Sequence, residues 1–127
     1  MLKHKVLYID DEEVNLRLFK NSFRRDFEIF LAGSAKEGLG VLENNKIDVV
    51  LTDQMMPEMT GVELLKIIHK KFDSVPPNRL IVSGYSENED IDKAFNEYKL
   101  FRFITKPWKY EVLKQVIIDS INPENNE

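Results

Sequence analysis

Two spacings of apolar residues take turns along this chain of 127 residues. Residues 4–10, HKVLYID, form a short run rich in β-branched and aromatic side chains that stops at Asp10 and Asp11, which predicts a buried strand. From about residue 12 to 25 the period lengthens. Val14 and Leu18 stand four apart and Leu16, Phe19 and Phe23 follow at helical intervals, so the spacing predicts an amphipathic helix. Phe27 to Leu31 predicts a second strand, and Ser34 ahead of Glu37 has the capping-box spacing that opens a helix to about Glu43, weakened by Gly38 and Gly40. Ile47 to Thr52 reads as a third strand running into Asp53, followed by the loop chemistry of QMMPEMTG. Thr60 and Glu63 repeat the cap, and Val62, Leu65, Ile68 and Phe72 mark a helix through about Lys71. Residues 73–78, with Pro76 and Pro77, predict a connection. Arg79 to Ser83 is a fourth strand, and Ser86 with Glu89 caps a helix whose face is Ile91, Ala94, Phe95 and Tyr98. Leu100 to Thr105 is a fifth strand, and Leu113, Val116, Ile117 and Ile121 form the stripe of a last helix from about Lys109. The tail PENNE is polar and expected to fray.

Five strand–helix alternations joined by short connections imply a parallel sheet with helices on both faces, because parallel strands need crossovers. The strands are apolar on both sides, as that burial requires. The length suits a single domain, 1–122, with 123–127 as its tail. With 43% hydrophobic and 31% charged residues, the composition is that of an ordinary globular protein. The absence of cysteine excludes disulfides, thiolate nucleophiles and Cys-ligated metal sites. No apolar run reaches membrane length, and the run Val6 to Ile9 stops at acids that a signal peptide would not tolerate, so a cytoplasmic protein without a membrane partner is expected. Lys and Arg number 18 against 22 Asp and Glu, and the basic residues are scattered, which disfavours direct nucleic-acid binding.

In an open α/β sheet, functional groups collect at the carboxyl ends of strands, beside the point where strand order reverses. Asp10 and Asp11 end the first strand, Asp53 the third and Ser83 the fourth, and Lys106 follows the fifth. Three carboxylates gathered on one edge repel, and some are pushed toward protonation unless a cation shares the space. An oxygen-only donor set suits a hard divalent ion, and Mg²⁺ leaves coordination positions for water and a phosphate. Lys106 adds a second positive charge. With no glycine-rich cradle or Walker lysine, a small phosphoryl group matches better than a nucleoside triphosphate.

Asp10-Asp11, then Asp53 with Pro57 and Gly61 downstream, Ser83-Gly84, and Phe103 ahead of Lys106-Pro107, taken in order, resemble the response-regulator receiver domain of two-component signalling over about residues 4–121. The resemblance implies a doubly wound five-stranded parallel sheet of strand order 2-1-3-4-5, flavodoxin-like (βα)5. It implies that Asp53 is the phosphoacceptor, that Asp11 ligates Mg²⁺ directly and Asp10 mainly through water, and that the backbone carbonyl of Met55 completes the ligands. It implies further that Lys106 pairs with phosphoryl oxygens and that the Ser83 hydroxyl donates to one of them. Phe103 corresponds to the switch aromatic, and the face of the fourth helix, fifth strand and fifth helix would change partner when it turns inward. The implied partners are a histidine kinase or phosphotransfer protein and a downstream effector, with a phosphorylation-dependent dimer as the implied assembly. Such a chain is no dedicated enzyme and catalyses only its own phosphoryl transfer and dephosphorylation. Ser83 stands where Thr is common and keeps the hydroxyl. Phe103 replaces a frequent Tyr, so packing alone can report the state. Met55 and Tyr85 occupy positions that tune dephosphorylation, and their bulk implies a longer-lived acyl phosphate. Lys106-Pro107 matches the family's cis peptide.

Each residue also has a structural reading. Asp caps helices, Phe103 can be core, Trp108 can anchor the last helix, and Met55, Met56 and Met59 can fill a loop. His4 and His69 stand isolated and read as exposed, and Arg24, Arg25, Lys70 and Lys71 as solvated helix ends. Among other functions, a receiver-like interaction module would not need all five site positions. A haloacid-dehalogenase-type phosphatase needs a second Asp where Met55 stands. A flavodoxin-like cofactor binder would have its phosphate repelled by Asp10 and Asp11.

Overall fold

The computed structural model describes residues 3–72, 78–84 and 89–122. The connection through Pro76 and Pro77, Tyr85, the Ser86 cap and the polar tail lie outside them. The element order is β1 (Lys5–Ile9), α1 (Glu13–Phe23), β2 (Glu28–Ala32), α2 (Ala35–Asn44), β3 (Val49–Asp53), α3 (Gly61–Lys71), β4 (Arg79–Ser83), α4 (Glu89–Glu97), β5 (Leu100–Thr105) and α5 (Tyr110–Ile121). All neighbouring strands pair in parallel, in the order β2-β1-β3-β4-β5.

Alternation along the strands splits the core. Leu7, Ile9, Val50 and Ile81 face one side and meet α2, α3 and α4 through Leu42, Leu65, Ile68, Ile91 and Ala94. Val6, Tyr8, Val49, Leu51, Leu80 and Val82 face the other and meet α1 and α5 through Phe19, Phe23, Leu113 and Ile117. Burying each such side chain contributes about 1.5–3 kcal/mol before the cost of ordering it. Both caps on the far side form. Ser34 Oγ accepts from Glu37 N at 3.1 Å, and Thr60 Oγ1 accepts from Glu63 N at 3.1 Å while Glu63 Oε1 accepts from Thr60 N at 2.9 Å. Gly38 lets α2 lie directly on β1, since a Cβ there would stand 2.5 Å from Ile9 Cδ1.

Several expectations are corrected. Val14 and Leu18 are exposed, because only the Phe19–Phe23 side of α1 meets the sheet, with Leu16 at its margin. Phe95 is likewise exposed while Ile91 and Ala94 are buried. His69 is half-buried beside a buried Arg79, whose Nη1 lies 3.5 Å from His69 Nδ1 and donates to Tyr98 O at 3.0 Å. Met56 and Met59 pack against the core instead of merely filling the loop. Phe101 and Phe103, two apart in a strand and so expected on one side, sit on opposite sides of the sheet, Phe101 with the α1–α5 layer and Phe103 with the α4 layer. The cause is a register shift in β5, where Arg79 pairs Leu100 but Leu80 pairs Arg102, and one extra residue reverses the alternation.

Candidate functional site

The strand order reverses between β1 and β3, and the carboxyl ends of these strands open a crevice. Asp10 follows β1, held by its amide donating to Ala32 O at 3.1 Å, and Asp53 is the last residue of β3. Both are buried, and Asp11 beside them is exposed. Asp10, Asp11 and Asp53 each offer a carboxylate oxygen, and these oxygens all lie within 4.8 Å of one another. Lys106 reaches in from the end of β5, its amide donating to Ser83 O at 2.8 Å, and the bond to Pro107 that follows it is cis. Its Nζ lies 2.9 Å from Asp10 Oδ2 and 3.6 Å from Asp53 Oδ2.

Three carboxylates thus face one ammonium. Burial pushes the Asp53 carboxyl above its ordinary value, and the Asp10 charge adds to that, against the opposing pull of Lys106 and the Gln54 amide. The donor set is all oxygen and short of positive charge, so it fits a hard divalent cation such as Mg²⁺ and offers nothing to a soft metal. A cleft of about 130 Å³ lined by Asp11, Gly33, Ser34 and Met56 to Met59 borders the acids on one flank. A cavity of about 360 Å³ borders Lys106 on the other, lined by Tyr8, Asn15, Leu18, Pro107 and Trp108.

Sequence reasoning missed three residues that shape this crevice. Asp10 Oδ2 accepts from Tyr8 Oη at 2.6 Å and from Asn15 Nδ2 at 3.2 Å, while Oδ1 accepts from Glu12 N at 3.0 Å. Tyr8 was discoverable, since a strand places residues two apart on one side and Tyr8 precedes Asp10 by two. Gln54 is the third. Its amide donates to Asp53 Oδ1 at 2.9 Å, its carbonyl accepts from Gly61 N at 2.9 Å, and its buried side chain Oε1 accepts from Val62 N at 2.9 Å. One residue therefore orients the Asp53 carboxylate and closes the loop that contains Met55 onto the start of α3. Gly61 has to be glycine for this closure, because a Cβ would stand 2.6 Å from Asp53 O and 3.1 Å from Gln54 Oε1. No periodic signal marks a buried Gln inside a loop.

Of the remaining expected residues, Ser83 is buried at the end of β4, one position beyond Val82, which pairs Asp53. Phe103 is half-buried and Met55 presents an exposed side chain. Trp108 anchors α5 as expected, its ring 5.4 Å from Phe23 and 6.3 Å from Phe19. Phe23 also stacks on Tyr110, whose hydroxyl donates to Asp26 Oδ2 at 2.6 Å beside the Lys114 ion pair at 3.1 Å.

Comparison with known proteins agrees with this fold. The family described as Response regulator receiver domain matches residues 6–118, and the chain belongs to that family. The chain is 34% identical over 116 residues to the hydrogenase transcriptional regulatory protein HoxA of Bradyrhizobium diazoefficiens, covering 91% of this chain and 24% of that relative. It is 37% identical over 114 residues to the two-component response regulator ORR1 of Oryza sativa, covering 81% of this chain and 49% of the relative. The chain thus spans between a quarter and a half of these relatives. A CheY-like receiver domain from Methanospirillum hungatei superposes with a TM-score of 0.87 at 28% identity, covering 99% of this chain and 98% of the other. The receiver domain of an HD domain-containing protein from Pseudomonas fluorescens gives 0.87 at 25%, covering 98% and 99%. Five strands in this order with five helices make the flavodoxin-like fold of these proteins. Among the described residues no helix is long and apolar enough to cross a membrane.

Proposed function

We propose that this chain is a phosphorylation-controlled switch of a two-component relay, with Asp53 as phosphoacceptor. The observation that supports it most is the clustering of three carboxylates within 4.8 Å, with Lys106 at 2.9 Å from one and 3.6 Å from another. The Asp53 carboxylate bonds to phosphorus as the donor's bond to phosphorus breaks, and the product is an acyl phosphate. Phosphoryl transfer asks for positioning and charge neutralisation more than for covalent help, and groups gathered at this edge of the sheet supply both. Gln54 N holds Asp53 Oδ1, so Oδ2 is the oxygen presented toward Lys106. Lys106 neutralises the arriving oxygens, and the Ser83 hydroxyl donates to one of them. Mg²⁺, held by Asp11, Asp53 and the Met55 carbonyl with Asp10 acting through water, would supply the remaining positive charge.

Phe103 and α4 belong to one core cluster, so movement of Ser83 toward the phosphoryl group is read on the face of α4, β5 and α5. Residues 1–122 act as the receiver, in the cytoplasm, with a histidine kinase or phosphotransfer protein as donor and an effector as recipient. The test is incubation with Mg²⁺ and acetyl phosphate followed by intact mass measurement. The native chain should gain one phosphoryl group and Asp53→Asn none. Equal labelling of the two refutes Asp53 as the acceptor, and no labelling of either refutes the proposal and leaves an interaction module that works without phosphorylation.

A further inference from the structure

The resting position of Lys106 poses a problem that the proposed reaction must solve. Its ammonium is nearer Asp10 than Asp53, yet transfer needs it beside the phosphoryl group on Asp53. Asp10 is fully buried, and a cation that it reaches only through water would leave its carboxylate without a direct partner once the lysine departs, which is destabilising unless other groups bond it. Something must hold Asp10 while the lysine turns away.

We propose that Tyr8 is a positioning residue whose hydroxyl holds Asp10 in place and so releases Lys106 to the incoming phosphoryl group. This inference rests on the reading of Asp53 as phosphoacceptor. The Tyr8 hydroxyl makes the shortest of the three bonds to Asp10 Oδ2, at 2.6 Å against 2.9 Å for Lys106 and 3.2 Å for Asn15. Short O–H···O⁻ bonds of this kind are the strong ones. The donor is also immobile. Tyr8 lies in β1 between β2 and β3, paired with Leu31 and Leu51, and its ring stacks on Phe19 at 4.4 Å and 22°. Asn15, half-buried on α1, is a neutral and longer second donor. With Tyr8 and Asn15 on Oδ2 and Glu12 N on Oδ1, Asp10 stays hydrogen-bonded after the lysine leaves. The lysine also borders the cavity of about 360 Å³ on the Tyr8 and Asn15 side.

Tyr8→Phe tests this, because it keeps the ring and its stack and removes only the hydroxyl. Three quantities are measured: the labelling rate from acetyl phosphate at saturating Mg²⁺, the Mg²⁺ half-saturation from Trp108 fluorescence without phosphodonor, and the thermal midpoint. The labelling rate should fall about tenfold, because Asp10 then retains the lysine, while Mg²⁺ half-saturation moves by less than about twofold. Asn15→Ala, at a helix position that accepts alanine, should slow labelling about threefold and decides the matter if Tyr8→Phe fails to fold. Labelling at the wild-type rate in the folded variants overturns the inference. So does a rise in Mg²⁺ half-saturation matching the loss of rate, since the hydroxyl would then serve the metal pocket. A wild-type chain that takes up no phosphoryl group overturns this inference together with the proposed function, whereas a labelled wild type with unaffected variants overturns the Tyr8 role alone.

Discussion

Replacing Gln54 with leucine tests whether one side chain closes the loop after Asp53. The leucine has similar volume, and the backbone bonds from Gln54 N to Asp53 and from Gly61 N to Gln54 O remain available. What disappears is the acceptor for Val62 N, 2.9 Å away at the buried start of α3. Leaving a buried amide unpaired costs about 1–3 kcal/mol, partly offset because the Gln amide no longer has to be buried. A net loss of about 1–2 kcal/mol lowers the melting temperature of a domain this size by about 4–8 °C. The loop that contains Met55 then loses one of its two ties to α3. Mg²⁺ half-saturation, followed through Trp108 fluorescence, should rise about tenfold, as when an outer support of a metal ligand is removed. Thermal melts in Mg²⁺-free buffer and the fluorescence titration read the two effects separately. A variant that melts within about 1 °C of wild type would show that water replaces Gln54 at no cost, and the clamp argument would fail.

Other expectations follow from the same geometry. The Asp53 carboxyl is raised above its ordinary value of 3.8, so the native state holds that proton more tightly than the unfolded chain, and ionised Asp53 destabilises the fold as pH rises through the folded value. In Mg²⁺-free buffer Asp53→Asn should therefore melt higher than wild type at neutral pH, and melts across the acid range should show the gain vanishing below the ordinary carboxyl value. Mg²⁺ at a hundred times its dissociation constant should stabilise the native chain by about 2.7 kcal/mol in denaturant titrations, and by much less in Asp53→Asn. Gly40→Ala, with open space around the added Cβ, should stabilise α2 by about 0.5–1 kcal/mol, whereas Gly38→Ala, whose Cβ meets Ile9, should destabilise by about 1–2 kcal/mol in the same titration. Lys99, which holds φ at 59° between α4 and β5, should gain about 0.5–1 kcal/mol on replacement by glycine, read by the melting temperature.

The fold was legible because its signals are local and periodic. Apolar runs bounded by acids or turn residues marked all five strands, and Ser34 and Thr60 marked helix starts that form the bonds their spacing implies. Asp10, Asp53, Ser83 and Lys106 were legible for a second reason, since strand ends in a parallel sheet share one edge. What escaped depends on tertiary arrangement. Whether Val14 or Phe19 is buried follows from how α1 sits on the sheet, and both fit a helical stripe. The separation of Phe101 from Phe103 follows from an extra residue in β5, invisible to a period-two reading. Arg79 and Gln54 are polar residues buried by bonds to distant partners, and a single-sequence pattern carries no trace of a partner eight or nineteen positions away.

The sheet divides the interior into two compartments, and the segment around Lys106 touches both. Phe103, three residues before it, belongs to the layer shared with α3 and α4, while Trp108, two residues after it, belongs to the aromatic stack of α1 and α5. The two layers share no apolar cluster, so a side chain trimmed in one leaves the packing of the other untouched, and paired truncations across the sheet should add in their cost to stability.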